Sequence, residues 1–89
     1  MAHHKSAIKR IKQNENRRIR NRVVKTRMKT AAKQLAQAEK NGDVEAMANE
    51  LNRSKSVIDK AAKKGVIHWK AASRKKSRLA RRINRTAAA

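Results

Sequence analysis

The sequence predicts an all-α chain, a three-helix bundle whose long, basic first helix projects beyond its partners. Three observations predict it. Proline is absent, and only Gly42 and Gly65 punctuate the chain. Alanine, Lys, Arg, Gln and Glu favour helix, while β-branched and aromatic runs are missing. Apolar residues recur at alternating steps of three and four in three stretches, which lines them along one face of a helix.

The first helix is expected over about 6–40. Ser6 is suited to cap its start. Asn41-Gly42 stops it, because glycine reaches the left-handed conformation at a helix end without steric cost. At 1.5 Å per residue the helix is a rod roughly 52 Å long, far beyond the ordinary helix. Asp43 caps a second helix over about 44–64, with Glu45 in its first turn and Lys63 and Lys64 in its last, where each suits the helix dipole. Gly65 closes that helix. A third is expected to start near Ile67 or His68 and to fade around Asn84, with residues 85–89 frayed. All 89 residues are read as one domain.

The stripes set the expected packing. In the first helix the stripe is Val24, Met28, Ala31, Leu35 and Ala38. In the second it is Val44, Met47, Leu51, Ser54, Ile58 and Ala61. In the third it is Trp69, Ala72, Lys76, Leu79 and Ile83, with Lys76 as a break that lays its methylenes along the seam and keeps its charge wet. Ahead of Val24 the stripe fails. Lys9, Arg10, Lys12, Arg17, Arg18, Arg20, Arg22 and Lys25 point around nearly the whole circumference at 100° per residue. Such a rod cannot lie on a protein core. Ile8, Ile19 and Val23 form a weaker line, expected to meet either the third helix or the surface of a partner.

Charge points to that partner. The chain carries 26 Lys and Arg against 6 Asp and Glu, a net charge of +20. Residues 1–38 are net +11, residues 39–59 are net −2 and residues 60–89 are net +11, so both ends are basic around a near-neutral middle. Like charges oppose compaction. A polyanion relieves that repulsion and releases its own condensed counterions. Nucleic acid is the first candidate and an anionic membrane surface the second. The apolar inventory is thin, since Ile, Leu, Val and Phe make up 14 of the 89 residues. The isolated fold is therefore expected to be weak or partial and to be completed by its partner.

Several chemistries lack their parts. With no cysteine there is neither disulfide nor thiol chemistry. No apolar run approaches the ~20 residues of a membrane span, and no signal-peptide pattern opens the chain. Residues 8–24 resemble a basic amphipathic targeting stretch only as far as the whole chain does. Glu39, Asp43, Glu45, Glu50 and Asp59 sit in the neutral middle, where capping and ion pairing account for them better than acid–base catalysis does. His3-His4 is a weak metal tract, and no structural zinc site can be built without cysteines or suitably spaced carboxylates. His68 suits either a phosphate contact or the closing of a helix start. A lone tryptophan on a stripe favours a core place for Trp69 over a base or ribose contact, since aromatic platforms usually need several exposed rings.

The basic runs carry the strongest signal. Lys offers mobile point contacts to phosphate, and Arg offers forked contacts and stacking. Asn14, Asn16, Asn21, Ser73 and Ser77, set among the bases, can bond phosphates, 2′-hydroxyls or base edges. Most such contacts position the backbone rather than read sequence. A compact helix-turn-helix reader would present one helix to a groove. Charge spread over a long rod and a second terminal helix instead suits wrapping by several RNA helices. A nucleoid-type DNA-packaging protein is the alternative, and a nucleic-acid hydrolase comes third for want of an acid cluster.

Particular words then become familiar. They are Lys5-Ser6-Ala7-Ile8-Lys9-Arg10 at the start, Gly42-Asp43 at the first turn, and Ile58-Asp59-Lys60-Ala61-Ala62-Lys63-Lys64-Gly65-Val66-Ile67-His68 through the second. Ala72 followed by Arg74-Lys75-Lys76-Ser77-Arg78-Leu79 completes the pattern. In this order and spacing, over nearly the whole chain, the sequence resembles the family of protein twenty of the bacterial small ribosomal subunit. The resemblance implies a three-helix bundle with a long first helix that reaches into ribosomal RNA. It implies early binding during assembly, contacts to RNA helices of the 5′ domain and to the long penultimate helix near the 3′ end, and few protein contacts. It implies no catalysis, cofactor, metal or small-molecule substrate, and a place in the ribosome of the cytoplasm or of an organelle.

Carried onto this sequence, the RNA-contacting residues expected on the first helix are Lys5, Ser6, Lys9, Arg10, Lys12, Asn14, Arg17, Arg18, Arg20, Asn21, Arg22, Lys25, Arg27, Lys29 and Lys33. Toward the other end they are Lys64, His68, Lys70, Arg74, Lys75, Lys76, Ser77, Arg78, Arg81 and Arg82. Two places depart from the family. The start reads Ala2-His3-His4, and the turn into the third helix reads His68-Trp69-Lys70, where the family usually has His, Lys and Asn. Trp69 at a customary basic position weakens its place in the seam and opens stacking on RNA.

Overall fold

The computed structural model describes residues 2–88, and these form three α-helices with no strand among them. Helix α1 spans Ala2–Asn41, α2 spans Val44–Lys63 and α3 spans Trp69–Ala88. Helix α1 starts ahead of the expected Ser6 cap. Ser6 lies inside it, because the residues before it continue the helical backbone. Helix α3 begins at Trp69 and runs past Asn84 to Ala88. Arg85 through Ala88 stay helical, and the Thr86 hydroxyl lies within hydrogen-bond reach of the Arg82 carbonyl and of Glu39, to either of which it can donate its one proton. Ala89 lies outside the described residues, as does the side chain of His3 in the His3-His4 tract. No described helix is long and apolar enough to cross a membrane.

Both turns are built by local chemistry. Gly42 adopts φ +72°, and its N–H reaches the Glu39 carbonyl at 3.2 Å. Asp43 is extended, and its carboxylate accepts from the Ala46 N–H at 3.2 Å, capping α2. At the far end of α2, the Gly65 N–H bonds to the Ala62 carbonyl and the Val66 N–H to the Ala61 carbonyl, both at 3.0 Å. With Gly65 at φ +78° this is a Schellman closure, which satisfies carbonyls that the helix end leaves open. His68 opens α3. Its Nδ1 accepts from the Lys70 N–H at 3.1 Å, and its carbonyl accepts from Ala72 at 3.0 Å.

The 40 residues of α1 give a rod of about 60 Å, against about 30 Å for the 20 residues of α2 and of α3. Half of α1 is therefore left without a partner. Residues 4–20 are all exposed, and the first buried residue is Val24. Beyond that point α1 and α3 both pack on α2 and touch each other little. The result is elongated and flattened, 67 × 22 × 13 Å.

The core follows the stripes with two exceptions. Leu35, Ala38, Met47, Leu51 and Ile83 form its centre, with Ala46, Leu79 and Ala80 packed against it. Leu35 and Met47 are the largest fully buried side chains, each stabilising by about 1.5–3 kcal/mol relative to exposure. Val44 does not join them. It is the first residue of α2, past the end of the core, and is 56% exposed. Trp69 does not join them either. It is the first residue of α3 and is 64% exposed, so the seam of α3 is carried by Ala72, Leu79 and Ile83. Ser54 is buried, and its hydroxyl donates to the Ala31 carbonyl across the α1–α2 interface at 3.4 Å.

Candidate nucleic-acid interface

The expected contact residues fall on two surfaces, and the fold gives each a different character. On α1, Lys5, Ser6, Lys9, Arg10, Lys12, Asn14, Arg17, Arg18 and Arg20 are all exposed on the partner-free rod. Asn21 is half-buried where the rod meets the bundle, and Arg22, Lys25, Arg27, Lys29 and Lys33 are exposed along its lower half. One acid stands among them. Glu15 lies 3.8 Å from Arg18 as an exposed neighbour pair, a contact worth little in water. Ile8, Ile11, Ile19 and Val23 remain 42–66% exposed, so the weaker apolar line does not meet α3.

The second surface is the α2–α3 turn and the exposed sides of α3. Lys64, His68, Lys70, Arg74, Lys75, Ser77, Arg78 and Arg81 are exposed there. His68 uses Nδ1 to accept from Lys70, which leaves Nε2 to donate outward. The Trp69 ring lies beside the His68 ring, with centroids 5.7 Å apart and planes 28° from parallel, and the Lys70 Nζ stands 5.6 Å from the Trp69 ring centre. The lone aromatic of the chain is thus a surface group among cations.

Two of the expected residues hold helices together. Lys76 is half-buried, and its Nζ sits 2.6 Å from Asp59 of α2, so its charge is paired rather than simply wet. Arg82 grips Glu39 of α1 through Nε, 3.1 Å from each carboxylate oxygen, and through Nη2 at 2.8 Å. Those hydrogen bonds hold the Glu39 carboxyl below the ordinary carboxylate range. Partial burial opposes the shift, and the Thr86 hydroxyl and the Arg82 charge add to it. The same contact raises Arg82. Neither link was readable beforehand, since Glu39 and Arg82 lie 43 positions apart and no local pattern joins them.

Four of the five carboxylates of the middle segment have structural partners, while Glu45 stands exposed in the first turn of α2. Asp43 caps α2, Asp59 holds Lys76, Glu39 holds Arg82, and Glu50 stands 3.9 Å from Arg53. Among the described residues, no three His, Cys, Asp or Glu side chains gather as metal ligands would. What the surface offers instead is dense positive charge on two parallel helices, fit to hold phosphates.

The sequence also has known relatives. A family model described as "Ribosomal protein S20" matches residues 2–84. The chain is similar to "Small ribosomal subunit protein bS20" of Nitratidesulfovibrio vulgaris (strain DP4), with 49% identity over 87 residues, which cover 98% of this chain and all of the relative. The protein of the same description from Trichlorobacter lovleyi is 54% identical over 84 residues, covering 94% of this chain and 97% of the relative. That of Halalkalibacterium halodurans is 51% identical over 80 residues, covering 90% and 88%.

Proposed function

The chain belongs to the ribosomal protein S20 family, whose members are structural constituents of the ribosome and not enzymes, and from that premise we propose that it binds small-subunit ribosomal RNA directly and stabilises the packing of RNA helices during assembly. Its place is the small ribosomal subunit, in the cytoplasm. The carrying observation is the division of charge by the fold. The terminal segments, each net +11, supply a partner-free rod and an exposed helix face, while the near-neutral segment supplies the helix on which both pack.

Two basic surfaces joined by a rigid element can neutralise phosphates from two RNA helices at once. Doing so removes the repulsion that keeps those helices apart. The α1 rod, from Lys5 to Lys33, is the element that enters between them. The face from Lys64 to Arg81 takes the second RNA surface, with His68 Nε2 directed outward among the cations. Lys76 and Arg82 act mainly by fixing α3 on its neighbours. By resemblance the RNA elements are those of the 5′ domain and the long penultimate helix, and protein contacts are few. One domain of 89 residues suffices for this role.

Chemical footprinting of small-subunit RNA with the added protein tests the reading. Protections are expected in two separate RNA regions. Protection equally strong on any duplex DNA of the same length would favour a DNA-packaging protein instead.

A further inference from the structure

Helices α1 and α3 run side by side on α2, yet they are joined at only one end. Near their C-termini the Arg82–Glu39 pair and the buried Ile83 close them. Toward the rod they part, and a trough of about 500 Å³ opens between them over α2. Its surface is mostly apolar, with Met28, Ile58, Ile67 and Leu79 on the floor. Its banks are cationic, Lys25 and Lys29 on α1 facing Lys75 and Arg78 on α3, and no acid lines it. The same two helices are thus drawn together by opposite charges at one end, while only like charges face each other at the other.

We propose that this trough receives one unstacked nucleobase of the bound RNA, with the phosphates on either side of it held by Lys25, Lys29, Lys75 and Arg78. The proposal rests on the RNA-binding reading above and adds a specific site to it. A ligand that fits must be apolar and flat in its middle and anionic on both flanks. A nucleotide extruded from its stack has that form. Its base offers a π-face to aliphatic side chains, and the backbone places a phosphate on each side. The volume lies within the range of about 300–1,000 Å³ typical of small-ligand sites. An acidic peptide could match the banks, but it would lay its polar backbone on an apolar floor that offers no hydrogen-bond partners. Phosphates on the two banks would also screen the repulsion between them and hold α3 against α1, which couples the bundle to its RNA.

Ala32 lines this trough and is otherwise exposed, so Ala32→Leu adds bulk there without entering the core and with little loss of helix propensity. The test compares wild type, A32L and the charge variant K29Q/R78Q for binding to a small-subunit RNA fragment. Circular dichroism and thermal melting of each variant confirm that it folds. A32L is expected to bind about tenfold more weakly, a factor equal to about 1.4 kcal/mol, with its salt dependence unchanged. K29Q/R78Q is expected to lose affinity and to flatten the salt dependence by about one unit of slope per phosphate contact removed. Probing base edges with dimethyl sulfate and a carbodiimide should show one base protected by wild type and reactive with A32L, while backbone protections persist. Wild-type affinity and identical base protections for A32L would overturn the proposal and leave the RNA-binding reading intact. Failure of wild type to bind the fragment would overturn both.

Discussion

Arg82 on α3 holds both carboxylate oxygens of Glu39 on α1, with its Nε 3.1 Å from each. The Thr86 hydroxyl adds a contact at 3.2 Å. Because α1 and α3 otherwise pack chiefly on α2, this contact is a direct polar tie between the two helices that carry the basic surfaces.

Its loss should be visible in the pH dependence of stability. Arg82 hydrogen bonds lower the folded carboxyl of Glu39 below its ordinary value. A depressed carboxyl contributes stability that is fully present above the unfolded value and lost as pH falls through the folded one. Wild type should therefore melt higher than Glu39→Gln at neutral pH, and the two melting curves should converge in acid. A gap that stays constant through the acidic range would contradict the assignment.

Leu35→Ala should unfold much of the bundle. Leu35 is 1% exposed at the centre of a core with few large side chains. Such a truncation costs about 2–5 kcal/mol, a large share of the about 5–15 kcal/mol that holds an ordinary domain. Urea denaturation followed by helix signal checks it. A midpoint unchanged from wild type would show that the helices do not depend on this core.

Trp69 reports on the RNA contact without any label. It is the only tryptophan and is 64% exposed, so acrylamide should quench it readily in the protein alone. RNA bound at the α3 face should shield it and change its emission. Equal quenching with and without RNA would place the contact elsewhere.

Much of this architecture was legible in the residues. Gly42-Asp43 and Gly65 marked both turns, and Leu35, Met47, Leu51 and Ile83 marked the core, because helix stops and stripes are local signals. Trp69 and Val44 were misplaced for a shared reason. Each continues a stripe in sequence but sits on the first residue of its helix, where the facing helix offers no cover. His68 as a cap was one of the two roles its residue type and place allowed, whereas Arg82 as a tie was hidden by distance along the chain. The charge asymmetry of the candidate interface was fully readable. The splay that opens a trough between like-charged banks was not, since it arises only when α1 and α3 are set side by side.

The first half of α1 has no protein partner, so its helix should gain order from RNA. Circular dichroism of the protein alone in low salt should show less helix than the 40 residues of α1 and the two shorter helices allow. Added RNA should raise it. Full helix content without RNA would contradict the coupling.

The most direct test of the central claim is the affinity for a small-subunit RNA fragment measured across a series of salt concentrations. Phosphate contacts release counterions, so the logarithm of affinity should fall linearly with the logarithm of salt. A steep slope, about 0.7–0.9 per neutralised phosphate, is predicted. A flat line would contradict the claim that its positive charge is what this chain brings to RNA.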